Sequence, residues 1–566
     1  MKANSRITRR ALIKGLALLG ASAGLAACAP AAPSPAPAAT TAPAATQAPA
    51  ATAAPAKPAA TQAPAATTAP SAGSVKRGGT LNTAMMDDIS SPDPDRYTNS
   101  GDGHVMGLVA ECLVGGDATD NVVPVLAEKW QIADGGKVWT MALRQGVLFH
   151  NGREMTADDV KWNFDRIVDE KAALPLGGTL RRMGLKTTVI DKYNVKFELT
   201  AGFGSFLASQ ISNVRTSIVA KECVKADGSV DKPIGTGPFV WDSWTKGSEV
   251  RLKRFDRYWQ KGTDGQSLPY IDGIVVKIVP DATIRLSALR AKDIDLVTQL
   301  PLDEVKAWKQ SQPPAGVNYV IFYVNYSDYV GLNPRRKPFS ELKARQAAKY
   351  AIDRDELNAA IYGGLGQVHN QPFIKDSIWY NDVPYPKPDV AKAKQLLAEA
   401  GFPNGVDVVH LCWNVHQQIG EVVQAQLARA GIRVKLQKEE YASWWKQGPE
   451  WNWDITEQPI GSIWHPERGF CTVESNYNAF WLSGGLVDQK VDDLMQAGRN
   501  ETDQAKAKAI YKQLVERIEE NATPIYMMNN PNVHAFRDYV KNYSNILTSY
   551  VSLSMTHGVH KLWLDK

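Results

Sequence analysis

Cysteine and histidine are scarce, with five and nine residues among 566. The histidines are dispersed, and the nearest pair, His557 and His560, has no Glu or Cys beside it, so the ligand spacing of a metal site is missing. No Gly-x-Ser-x-Gly elbow and no His-Glu-x-x-His helix occur, which removes two familiar hydrolase signatures. The glycine-rich turn at 235–239 has no Gly-Lys-Ser/Thr ending and so is not a phosphate cradle. Neither a cofactor nor a metal is expected. The apolar run at 15–27 is too short for a bilayer-spanning helix. An excess of one charge is also absent from the body of the chain. Five basic residues, Lys2, Arg6, Arg9, Arg10 and Lys14, precede position 28 without an acid among them, and the remainder holds 59 Lys and Arg against 59 Asp and Glu. That balance gives no footing for a nucleic-acid partner.

What is present begins with an export signal. A basic segment followed by the apolar run has the arrangement of a signal peptide. Residues 8–14, TRRALIK, resemble a twin-arginine export signal, with a plain basic n-region as the alternative. Residues 25–28, LAAC, resemble a lipoprotein box in which Cys28 becomes the first mature residue. Two or more acyl chains there would suffice to hold a soluble body at a membrane, at roughly 0.8 kcal/mol per buried methylene. Residues 29–76 are mostly Ala, Pro and Thr; with no large apolar side chains to bury, they read as a spacer. Everything beyond exceeds the size of one hydrophobic core, so two or more domains are expected.

Residues 122–167 show three local structures side by side. The alternation over Val138–Leu143 predicts a strand, Asp134-Gly135-Gly136 a turn ahead of it, and Thr156 with Asp159 a helix cap before the apolar face Val160, Asn163, Phe164, Ile167. Further strands are expected at 239–244, 271–280, 406–412 and 433–438, and helices at 281–289, 341–351, 390–400, 420–430 and 503–521. The alternation in the second half is that of an alpha/beta unit.

Seven stretches in order, GGTLNTA at 78–84, LAEKW at 126–130, LRQGVLFHNG at 143–152, TADDV at 156–160, GTGPF at 235–239, AIDRDEL at 351–357 and AKAKQLLAEAGFP at 391–403, resemble the bacterial extracellular solute-binding proteins of family 5, the dipeptide and oligopeptide group serving ABC importers. The resemblance implies an α/β, bilobal periplasmic-binding-protein-like fold with mixed sheets, an extra subdomain in the N-terminal lobe and a hinged cleft. It places lobe I at 77–318 plus 525–566, with the insertion at 119–232, and lobe II at 319–524, after a signal peptide at 1–28. It implies a monomer, lipid-anchored to the outer face of the cytoplasmic membrane, that binds a small solute and passes it to membrane permease subunits without catalysis. A secreted hydrolase and a plain cell-surface structural protein are the competing classes.

Seven of the 16 tryptophans fall between Trp413 and Trp481, and an indole offers a ligand both a flat apolar face and an N–H donor. Trp413, Trp464 and Trp481 are therefore candidate ligand contacts. By resemblance Tyr441, Glu457, Asn325, Asp87 and Asp88 join them. Peptide binders of the group often carry an aspartate a few residues before an acidic-proline pair, and alignment on Pro466 puts Ser462 there and His465 in place of the acid. A hydroxyl cannot neutralise a peptide ammonium, which points to an oligosaccharide or other neutral hydroxyl-rich solute as the alternative ligand. With Cys28 assigned to lipid, four thiols allow three full pairings. The lobe assignment favours Cys112 with Cys223 and Cys412 with Cys471, because a bridge between lobes would restrict closure; four free buried thiols are the alternative.

Overall fold

The computed structural model describes residues 75–460, 465–477, 479–543 and 558–566. The expected leader, Cys28 and nearly all of the spacer lie outside these residues, as do Ser462 and Trp464. Among the described residues no helix is long and apolar enough to cross a membrane.

Local rules account for the stretch that includes Val138–Leu143. Along that strand Trp139, Met141 and Leu143 alternate inward, as a half-buried strand requires. The helix Ala157–Val168 starts where Asp159 accepts the Thr156 backbone N–H at 2.9 Å, and it buries Val160, Asn163, Phe164 and Ile167. Phe164 meets Phe197 edge-on at 4.8 Å. Together with the four-stranded sheet Ala127–Ala133, Val138–Leu143, Asn194–Glu198 and Lys186–Asp191, these side chains form a hydrophobic cluster that runs from Leu113 to Ala220. At the 235–239 turn, the Gly237 N–H donates to Val109 O at 3.0 Å. A Cβ on Gly235 would lie 2.0 Å from that same carbonyl, so the turn passes the helix Ser100–Val109 too closely for any side chain.

The fold is bilobal, with mixed α/β layers. Apart from the Leu113–Ala220 cluster, two hydrophobic clusters draw nearly all their residues from 81–317 and 533–564. Two others draw theirs from 329–528, packing helices such as Leu342–Ala351, Val390–Glu399 and Gln417–Arg429 on the sheet. One mixed sheet links the lobes. Its order is Ile432–Glu439, Val406–Trp413, Ile455–Ile460, Val317–Leu332, Ile525–Arg537, Leu296–Val297, Thr80–Met85, Gly273–Ile278, Glu249–Arg254 and Phe239–Thr245, with Gln367–Val368 also paired to Ile525–Arg537.

The two central strands carry the connection. Val317–Leu332 and Ile525–Arg537 are antiparallel, and their register runs unbroken from Val317↔Arg537 to Tyr323↔Pro531 before resuming at Ser327↔Asn529. The register shifts across residues 324–326, between Tyr323 and Ser327, and Pro531, which has no N–H to give, stands beside the step. Interruptions of this kind bend a strand and raise its twist.

The loop between Thr80–Met85 and the helix Ser100–Val109 is fixed by buried charge. Asp102 accepts from the backbone N–H groups of Ser90, Thr98 and Asn99 at 2.6, 2.8 and 3.2 Å. Arg166, from the Ala157–Val168 helix, forks onto Asp93 and Asp95 at 2.5 and 2.6 Å. Replacement by Arg166→Ala leaves buried Asp95 without its ion-pair partner and Asp93 with Arg96 at 3.5 Å, an effect of about 3–5 kcal/mol. The variant is expected to melt well below the parent, and an unchanged melting temperature contradicts this role.

Candidate functional site

Three strands of the second lobe run parallel. Val406–Trp413 pairs with Ile432–Glu439 from Val406↔Ile432 to Trp413↔Glu439, and on its other side with Ile455–Ile460. Their carboxyl ends therefore open on one side, where open α/β sheets leave a crevice for ligands. Aromatic rings line this rim. Tyr441 is 50% and Trp445 40% exposed, and Trp413 is half-buried between the rim and the interior. Trp413 lies 5.0 Å from Tyr441, and Tyr441 stacks on Trp445 at 6.1 Å. Beneath them Trp444 and Trp481 meet edge-on at 4.8 Å, and both are buried. Trp413 and Tyr441 thus stand at the opening, and Trp481 supports it from the core. Trp445 was not among the individually expected contacts.

A polar seam forms where the turn at 117–121 meets residues 325 and 374–378. Asp117 accepts the N–H groups of Thr119 and Asn121 at 2.8 and 3.0 Å, a turn chemistry typical of Asp. The turn sets Asp120 in the left-handed region at φ 69°. The Asp120 carboxylate then accepts from Asn325 Nδ2 at 2.7 Å and from the Ser377 hydroxyl. Asn325 belongs to the 324–326 step, and its Oδ1 takes the Ile374 N–H at 2.9 Å. The Ile378 N–H donates to Thr119 O at 2.9 Å. A second contact forms where the Ser205 N–H reaches Arg499 O at 3.3 Å. A Cβ on Gly204 would fall 1.9 Å from Glu501 O, so only glycine permits this approach. The segments around Thr119 and Ser205 therefore touch residues 325–378 and 499–501 at two places. Burial pushes the Asp120 carboxyl up to about 7.

Other expected residues are held by the protein itself. Asp88 accepts from Trp244 Nε1 at 3.0 Å and from the Gly247 N–H at 2.7 Å, tying its loop to the Phe239–Thr245 and Glu249–Arg254 hairpin. Asp87 lies in the field of the buried Arg285. Glu457 is buried, with Cys412 Sγ donating to one carboxylate oxygen at 2.9 Å and His410 Nε2 lying 3.3 Å from the other without a hydrogen bond. The expected disulfides are corrected by the structure, in which Cys112, Cys223, Cys412 and Cys471 are all free. Cys112 Sγ donates to Asn213 O at 3.2 Å, Cys412 to Glu457, and Cys223 packs with Ala110, Val219 and Val230. Burial pushes the Cys112 thiol up to about 12 and Cys471 up to about 11, so these thiols are inert at neutral pH. Among the described residues no three His, Cys, Asp or Glu side chains are grouped to hold a metal ion.

Residues 121–480 match the family described as bacterial extracellular solute-binding proteins, family 5 Middle. The dipeptide-binding protein of Escherichia coli K12 is 30% identical over 472 residues, spanning 75% of this chain and 84% of that protein. The oligopeptide-binding protein AppA of Bacillus subtilis 168 is 28% identical over 484 residues, spanning 79% and 84%. Among solved structures, the ABC transporter-associated periplasmic binding protein DppA of Helicobacter pylori, in complex with the peptide STSA, is similar with a TM-score of 0.70 at 28% identity, covering 87% of this chain and 99% of that one.

The Asp120 seam has a defined pH dependence. A free aspartate titrates near 3.9, and in the seam Asp120 titrates at about 7, so the closed contact holds the proton more tightly. Its contribution to closure is full below about pH 4 and is lost as pH rises through 7. Closure followed by tryptophan fluorescence is expected to weaken from pH 5.5 to 8 in the parent and to lose that slope in Asp120→Asn. Equal slopes in both proteins contradict the assignment.

Proposed function

The chain belongs to family 5 of the bacterial extracellular solute-binding proteins, and from that premise we propose that it is the receptor of an ABC importer, capturing a short peptide between its lobes and delivering it to membrane permease subunits. The observation that carries this reading is the aromatic-lined opening at three strand ends of the second lobe, in a chain whose lobes are linked by two strands with a register shift between them. Such a crevice can shut on a solute and expel water, and it needs no catalytic group. The relatives are named for dipeptides and oligopeptides, which favours the peptide over the hydroxyl-rich alternative. Trp413, Tyr441 and Trp445 suit peptide side chains as well as they suit sugar rings. Asn325 is assigned to the seam, and Asp87, Asp88, Glu457 and Trp481 to the support of the cleft. Ser462 and Trp464, which follow the Ile455–Ile460 strand, are assigned to the ligand wall.

We assign lobe I to 77–318 with 525–566, its insertion to 119–232, and lobe II to 319–524. The lipid on Cys28 and the 29–76 spacer would hold a monomeric receptor within reach of its permease on the outer face of the cytoplasmic membrane, and the arginine pair at 9–10 would choose the export route. Binding proteins are what the named relatives are, and turnover is not expected here.

Calorimetry of the emptied protein against a panel of di- and tripeptides is expected to give one-to-one binding, with the peptide recovered intact and with affinity roughly three- to tenfold weaker in Trp413→Ala, the loss of one aromatic face. Cleaved peptide, or no member of the panel bound, contradicts the reading. Separately, Cys28→Ser is expected to move the protein from the membrane to the soluble fraction with its binding unchanged, and an unaltered partition contradicts the lipid anchor.

A further inference from the structure

The pairing of Val317–Leu332 with Ile525–Arg537 is interrupted twice. One register shift lies between Tyr323 and Ser327, and a second between Asp328 and Tyr329. Only Ser327↔Asn529 and Asp328↔Met528 stay in register between them. On its other edge Asp328 stands opposite Pro459 of the Ile455–Ile460 strand, and proline has no N–H to give. Two residue pairs between two irregularities form a short island of ladder. By backbone pairing alone it would bend as readily as the 324–326 step beside it.

Side chains supply what the ladder lacks. Asp328 is buried and accepts two hydrogen bonds from different elements. Tyr362, at the end of the helix Arg354–Tyr362, donates its hydroxyl to Asp328 Oδ2 at 2.6 Å. Asn530 Nδ2 donates to Oδ1 at 3.3 Å. Asn530 lies between Asn529, the partner of Ser327, and Pro531, the partner of Tyr323. It is therefore the residue of the second strand that stands across from the step. Its neighbour Asn529 is fixed on the other side, where its Nδ2 donates to Pro372 O at 3.1 Å and its backbone pairs with Gln367. The island is thus tied to a helix and to the 367–372 segment, and the tie ends at the edge of the step.

The chemistry of Asp328 suits bonds better than charge. Among the described residues no lysine or arginine stands within ion-pair distance of it. Burial pushes its carboxyl up to about 7, and the charge of Glu457 acts in the same direction. A buried acid without a cation is held by its hydrogen bonds alone. An apolar residue in its place would fill the space and make neither bond.

We propose that Asp328 is the pin of the hinge: it locks the Ser327–Asp328 island, Asn530 and the end of the Arg354–Tyr362 helix into one piece with the second lobe, so that rotation is confined to 324–326 and the facing Pro531. Asp328 is a positioning residue, acting on closure through the two strands. The pin travels with the second lobe whether the lobes are open or shut, so its proton does not enter the closure equilibrium. A bend confined to three residues returns the aromatic rim to the same place at every closure, whereas a bend spread over 324–330 does not. This holds whatever the solute.

Hydrogen–deuterium exchange of the full chain reads the pin. Asn530→Ala and Tyr362→Phe are each expected to speed exchange at 327–332 and 525–530 by about tenfold, with the helices Val390–Glu399 and Gln504–Asn521 left at the parent rate. Tyr362→Phe removes a single hydroxyl and carries the test if Asn530→Ala fails to fold. Asp328→Asn, a neutral isostere that can still accept from Tyr362 and meet Asn530, is expected to stay close to the parent. Spin labels at Ala118 and Asp382 are expected to show a broader open population in emptied Tyr362→Phe than in the emptied parent. Parent-like exchange at 327–332 in both variants overturns the pin. Acceleration of the whole protein alike also overturns it, because that is lost stability and not a released hinge. So does an Asp328→Asn protein that exchanges as fast as the other two.

Discussion

Two backbone strands, Val317–Leu332 and Ile525–Arg537, run through both lobes, and the break in their pairing between Tyr323 and Ser327 is the constraint on which the rest depends. A continuous antiparallel ladder resists bending, because every rotation would stretch several hydrogen bonds at once. The register shift between Tyr323 and Ser327 interrupts that regularity, so bending concentrates there. The same step presents Asn325 to Asp120 and to the Ile374 N–H. The bend and the latch are thus built from one residue triplet, and movement at the first necessarily alters the second.

The balance of forces differs between lobe interiors and seam. Inside the lobes, side chains such as Trp139, Trp444 and Tyr526 are fully buried, and truncating one typically costs about 3–5 kcal/mol. At the seam the contacts are a few hydrogen bonds to Asp120, Thr119 and Arg499, each contributing about 0.5–1.5 kcal/mol net. A seam of that strength can open without unfolding either lobe. A ligand shifts such an equilibrium only by its differential affinity for the closed form, which groups contributed by both sides of the seam would provide.

Local structure was legible in the sequence wherever one physical rule decided it. The period-two pattern placed Val138–Leu143 at its observed bounds. Thr156 with Asp159 marked the helix start, and the glycines at 235 and 237 marked a turn that no side chain would fit. The expected helices at 390–400 and 503–521 appear as Val390–Glu399 and Gln504–Asn521. What could not be read was which tryptophans face outward. Trp444 and Trp445 are adjacent and chemically identical, yet one is buried and the other 40% exposed; both rings meet Trp481, and Trp444 in addition meets Trp413, so tertiary packing decides between them. The seam was equally hidden. Asp120 and Ser377 are 257 positions apart. The thiols show a third limit, since equal numbers and lobe membership favoured pairs, whereas Cys112 and Cys412 are directed at Asn213 O and Glu457 instead.

The central claim is that the lobes rotate about the 324–326 step. Its most direct test is a distance measured between spin labels placed at Ala118 and Asp382, exposed positions on either side of the seam. The account predicts two populations in the emptied protein, a short one matching the present structure and a longer one, with bound solute collapsing the distribution onto the short distance. A single distance that solute does not change, in a protein shown to bind that solute, would contradict it.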